Sequence, residues 1–193
     1  MDNQIIIPEH IANAAERLKY IRNHYTAPVS PISLNIAFRQ LLVLALTIPE
    51  IEVSIEGQEI KLSLNSPLVD STLIISYDPN RCHENGQVYL LFTILHPDKT
   101  GTSEFCIPTQ IIQFGNLVKI IYCYLKEMAD NPLYTGLLPE VWQDAVDNAI
   151  DVITPEVMNS FWNGSITAVD LVVKCGMPSM SSEAATSYFS STT

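Results

Sequence analysis

Four carboxylates stand at spacings of 4, 3 and 4 along one stretch of this sequence: Glu140, Asp144, Asp147 and Asp151. On a helix these spacings bring all four to one face. Trp142, Ala145, Val146, Ala149, Ile150 and Ile153 fall on the opposite side. Such a ridge suits a basic surface on a partner or a divalent cation, and it equally suits plain solvent. No Lys or Arg occurs from 127 to 173, so nothing nearby in sequence neutralises it. Residues 1–49 carry four basic and three acidic side chains, whereas 101–193 carry three basic and ten acidic. Arg17, Lys19 and Arg22 put the early positive charge on one segment. The ridge could meet them within one chain or between two copies. Glu140, Asp144, Asp147 and Asp151 are therefore candidate partner-binding residues, with a protein or a second copy as the partner.

Cysteines and histidines are the other candidates for chemistry. Cys82-His83-Glu84 and His96-Pro97-Asp98 bracket the apolar run Val88–Leu95. A strand of that length sets the two histidines roughly 20–25 Å apart at ~3.3 Å per residue. Zinc ligation and Cys–His catalysis need direct contact, so neither a His83–His96 site nor a Cys82–His96 dyad can form. What remains is Cys82 beside a carboxylate with His83 as base. His10 and His24 lie about 21 Å apart along a helix, too far to share one metal. No His-x-x-x-His, Gly-x-Gly-x-x-Gly, Walker loop or Gly-x-Ser-x-Gly occurs, and seven glycines leave little for a phosphate-cradling loop. No catalytic, cofactor-binding or metal-binding residue is assigned on this reading, and no cofactor is expected.

With 193 residues, 47% hydrophobic and 16% charged, the chain has the size and composition of one folded domain. Its net charge of -11 argues against nucleic acid as the main ligand and against an anionic membrane surface. The longest uncharged apolar stretch, Leu41–Ile48, is far shorter than the roughly 20 residues of a membrane span. Without a basic, apolar leader at Met1, the expected location is a reducing compartment, the cytoplasm, or the host cytoplasm if the protein is viral. Cys106 and Cys123, set in apolar strings, are expected to be small core residues.

The elements that must position these groups follow from periodicity. Glu9–Tyr25 and Leu34–Ile48 read as helices, the second capped by Ser33 and largely buried. Ile51, Val53 and Ile55, then Ile60, Leu62 and Leu64, alternate with polar residues on either side of Gly57-Gln58. Across a two-residue turn Ile55 meets Ile60, Val53 meets Leu62 and Ile51 meets Leu64, all on one face. Leu73–Tyr77, Val88–Leu95, Glu104–Ile107 and Ile166–Val173 complete the expected strands. Val88–Leu95 is expected to be central and buried on both faces. Thr109 opens a helix to Ala129, expected to lie across the sheet. Glu140–Ile153 and Pro155–Trp162 follow as helices.

The whole is an α+β fold: two N-terminal helices, then a mainly antiparallel sheet of five to six strands with helices packed on one face. Residues 1–175 form the expected single domain. Residues 176–193 form a Ser/Thr-rich tail, expected to be flexible. Its Tyr188 and Phe189 are candidate partner-binding residues in a docking or phosphorylation segment. The expected function is a non-catalytic interaction or assembly protein, such as an adaptor, a particle subunit or a viral structural or accessory protein. The alternative is a small hydrolase or transferase built around an unrecognised cleft.

Overall fold

The computed structural model describes residues 6–26, 36–66, 71–85, 87–96, 102–109, 111–134 and 136–177. The tail with Tyr188 and Phe189, and the cap residue Ser33, lie outside the described residues.

The hairpin forms in the register set by its alternation. Strands β1 (Glu52–Glu56) and β2 (Glu59–Ser66) pair antiparallel, with Val53 opposite Leu62 and Ile55 opposite Ile60. Gly57 sits at φ +63°, the left-handed geometry that such tight turns require. The sheet continues through β3 (Ser71–Tyr77), β4 (His83–Glu84), β5 (Gln87–Leu95) and β6 (Thr102–Pro108). All neighbours are antiparallel, β2 with β3, β3 with β5 and β5 with β6. The β3–β5 ladder runs to Ser76 opposite Leu91, and β4 resumes at His83 opposite Val88. The partner numbers jump there, so residues 78–82 bulge out of the sheet.

One face of the sheet is the core. Ile60, Leu62, Leu64, Leu73, Ile75, Tyr77, Leu90 and Phe92 are all buried on it. Val53 and Ile55 on the edge strand β1 are only half covered. The expectation that β5 is buried on both faces needs correction. Leu90 and Phe92 are buried beneath the helices, whereas Tyr89 and Leu91 on the other side stay half exposed. The helices pack on one face of this sheet, so the continuous apolar run of β5 does not signal two-sided cover.

Among the described residues six helices build the second layer: α1 (Glu9–His24), α2 (Ile36–Thr47), α3 (Ile111–Ala129), α4 (Pro139–Val152), α5 (Pro155–Trp162) and α6 (Ala168–Lys174). The central place belongs to α2, buried from Ala37 nearly all round and touching β3, β5, α1 and α4. Helix α3, expected across the sheet, docks on β6 and α4. It reaches the β2–β3 end through the Tyr124 hydroxyl, which donates to the Ser71 carbonyl at 2.8 Å. Buried side chains from Ala14 to Met177 form one core.

The last expected strand is a helix. In place of a strand over Ile166–Val173, α6 packs against α1. A capping box starts it: the Thr167 hydroxyl accepts from the Asp170 N–H, and the Asp170 carboxylate accepts from the Thr167 N–H. These bonds satisfy two donors that a helix start leaves open. Ala168, Leu171 and Val172 then face the core while Val173 faces out, a helical pattern too short to separate from a strand by periodicity. Thr167→Ala is expected to cost about 0.5–2 kcal/mol. A urea midpoint unchanged from the parent would show the box to be dispensable.

Arginines lock the helix ends. Arg17 donates through Nε to the Ala45 carbonyl at 2.7 Å and through Nη1 to Pro49 at 3.0 Å, at the end of α2. Arg39 Nη2 reaches the Ile153 carbonyl at 2.6 Å, closing α4. Arg22 Nη1 lies 3.4 Å from the Phe161 carbonyl in α5, with its guanidinium over the Phe161 ring. A cation at a helix C-terminus meets both unpaired carbonyls and the negative end of the dipole. Burial draws the Arg17 pKa down to about 10, which leaves it charged at neutral pH.

Candidate functional site

The four ridge carboxylates share one exposed face of α4. Trp142, Val146 and Ala149 on the far side are fully buried, while Ile150, expected with them, is 41% exposed. The Tyr122 hydroxyl donates to Glu140 Oε1 at 2.8 Å and lowers the Glu140 pKa. Arg17 and Arg22 are spent on carbonyls of α2 and α5, and Lys19 pairs with Glu16 at 2.9 Å. The first helix therefore offers the ridge little free positive charge. Among the described residues no group of three or more His, Cys, Asp or Glu side chains can hold a metal ion. No described helix is long and apolar enough to cross a membrane.

The histidines keep the separation expected of them, and two of the cysteines do not keep their expected place. His83 pairs with Val88 at the start of β5, and His96 follows Leu95 at its end, so the strand keeps them apart. Cys106 and Cys123 are exposed, a correction to their expected core placement. Each sits on the outward side of its element: Cys106 on the uncovered face of β6, Cys123 on the solvent face of α3. The buried thiols are Cys82 and Cys175, and burial raises both, Cys175 to about 12.

On the outer face of the sheet Glu59, Ser76, Leu91, Glu104 and Cys106 line a shallow cleft of about 220 Å³. The bulge contributes Asp78, Arg81 and Cys82. Two opposed features weigh on its chemistry. Two thiols and three carboxylates line it, but the Cys82 thiol accepts from the Asp78 N–H at 3.4 Å and burial raises its pKa. A protonated thiol is a weak nucleophile. The volume also falls below the roughly 300–1,000 Å³ of ordinary small-molecule sites.

The sheet's last strand has the most distinctive geometry. The Thr109 N–H donates to the Val88 carbonyl at 3.0 Å, and the β5–β6 register carries that pairing forward to Leu90–Ile107, Phe92–Phe105 and Ile94–Ser103. Antiparallel ladders alternate bonded and non-bonded pairs. The N–H and C=O groups of Thr102, Glu104 and Cys106 therefore point away from β5. Pro108 falls on the same alternation, so its missing N–H belongs to the outer edge, where a strand tolerates proline. Among the described residues no backbone group bonds to that edge.

The two sheet edges differ in protection. On β1, Glu52 and Glu56 are exposed charges that discourage pairing with another strand. On β6 the only charge is Glu104, and Phe105 is 44% exposed although its ring stacks on Phe92 at 5.3 Å. Phe105 points to the helix-covered face but stands beyond the cover. The sequence shows only a short run, Glu104–Ile107, closed by Pro108, with no sign that it is the outermost strand. Compared with known proteins, the chain matches no family model, no curated protein and no solved structure.

Proposed function

We propose that this chain is a non-catalytic interaction or assembly protein that docks its partners through the free edge of β6. One observation carries the reading: a seven-residue edge strand with outward backbone groups, one charge and an exposed aromatic at its centre. An extended segment adds to such an edge by main-chain hydrogen bonds, and side-chain pockets select its sequence. The small cleft and the protonated Cys82 thiol favour this reading over a hydrolase or transferase. The acidic ridge then acts at longer range. Its exposed pairs are each worth about 0–1 kcal/mol, enough to steer a basic partner but weak as an anchor.

The test is a panel of extended heptapeptides, the segment Thr102–Pro108 among them, titrated into the full chain with amide exchange as readout. Binding peptides are expected to slow exchange at Thr102, Glu104 and Cys106 and to fail against Glu104→Pro. Peptides whose protection maps to α4, or a panel without any binder to the monomeric chain, would refute edge docking.

A further inference from the structure

We propose that a second copy of this chain occupies the β6 edge, antiparallel about a two-fold axis at Phe105. This rests on the edge-docking reading and names its occupant. Phe105 is the midpoint of Thr102–Pro108, so a two-fold there pairs the strand along its full length. Because its own N–H and C=O face β5, Phe105 takes a non-bonded position across the new interface. Side chains in such pairs approach most closely, which sets Phe105 against the partner's Phe105 on the same sheet face. Glu104 exchanges two hydrogen bonds with the partner's Cys106, and Cys106 exchanges two with the partner's Glu104. The Thr102 N–H donates to the carbonyl of the partner's Pro108, so the missing proline N–H leaves one Thr102 carbonyl at each end without its bond.

Charge selects this register over its neighbours. Glu104 lies opposite a neutral thiol. Moving the axis to residue 104 sets Glu104 directly against the partner's Glu104, a destabilising pair. A one-residue slip in pairing sets the outward groups of Glu104 and Cys106 against residues whose own N–H and C=O face β5, so no ladder forms. A foreign strand would have to supply both an aromatic and a neutral residue at these positions, whereas a second copy carries them already.

The salt response is the opposite of ridge-driven docking. Each copy carries a net charge of -11, so the two repel at long range. Screening should strengthen an edge-to-edge dimer, whereas binding through the acidic ridge to a basic surface should weaken.

The test is light scattering after size exclusion, with the full chain at about 100 µM and salt raised from about 0.05 to 0.5 M, across which the screening length falls several-fold. The expected result is a dimer whose fraction rises with salt. Glu104→Pro removes an outward N–H without touching the β5 ladder, and Phe105→Lys places two cations at the axis. Each should raise the dissociation constant about tenfold or more, as loss of a central interface contact does. Folding of both is checked by circular dichroism. If either variant fails to fold, cross-linking decides. On a Cys123→Ser background, a short bismaleimide should join the two exposed Cys106 thiols, whose Cα atoms lie about 8 Å apart by strand spacing and rise. A parent that stays monomeric at high salt, a dimer that survives Glu104→Pro, or a dimer without Cys106 cross-linking would overturn the proposal. Peptide docking at the edge by a monomeric parent would overturn the self-pairing alone and leave edge docking standing.

Discussion

Leu62→Asp is expected to remove several kcal/mol of stability, a large share of the 5–15 kcal/mol typical of a folded chain. Leu62 is fully buried at the middle of β2, with Val53 beside it on β1 and Ile75 on β3. The introduced carboxylate would face only apolar side chains on the core face. Val53 itself is a gentler site, because β1 is an edge strand and Val53 is half covered. Glu52→Lys, on the exposed face one residue away, should change stability by no more than about 0.5 kcal/mol. The pH response fixes the cause. A buried carboxyl has a folded-state pKa above its unfolded value of about 3.9, so the folded variant holds its proton longer than the unfolded chain. Relative to the parent, the deficit should be smallest below about pH 4 and grow until pH passes the raised folded-state value. Urea denaturation of parent and variant at pH 4 and pH 7 measures this. Equal midpoints at both pH values would mean that the hairpin face is not buried.

Trp142→Ala should cost about 3–5 kcal/mol, the range for emptying a large aromatic site. Trp142 has no exposed surface, and its helix α4 packs against α2, the central element of the helical layer. Its indole Nε1 is buried without a hydrogen-bond partner among the described residues, so packing holds the side chain. Trp142→Phe should therefore be mild, about 1 kcal/mol, because lost volume is offset by removal of an unsatisfied donor. Alanine at this position should lower the melting temperature by roughly 10 °C, given about 2–4 °C per kcal/mol for a chain of this size. A phenylalanine variant as unstable as the alanine variant would show that the indole N–H does more than fill space.

The hairpin was readable because two local signals agree. Alternation of Val53, Ile55, Ile60 and Leu62 sets which side chains face the core, and Gly57 permits the turn that pairs them in that order. Helix α4 was readable for the same kind of reason, since the spacing of Trp142, Val146 and Ala149 belongs to one helical turn after another. The exposed ridge of Glu140, Asp144, Asp147 and Asp151 came with it. Helix α6 was misread because its seven residues, five of them Ala, Val or Leu, fit either period, and the choice rests on Thr167 and Asp170 closing a box.

Other features have no local signature at all. The apolar composition of β5 suits cover on both faces, and whether a second layer exists depends on where distant helices go. Cys106 sits in an apolar string, yet it lies outside the core because, among the described residues, β6 ends the sheet and nothing covers its outer face. The same holds for the candidate site. That Glu104–Ile107 prefers an extended chain can be read from its residues. That the backbone groups of Glu104 and Cys106 face outward depends on pairing with β5, which begins at residue 87. By itself, then, the sequence determined the local periods, turns and faces, because neighbouring side chains and backbone angles impose them. Only the tertiary structure decided which strand has no outer neighbour among the described residues, because that is settled by hydrogen bonds between residues far apart in the chain.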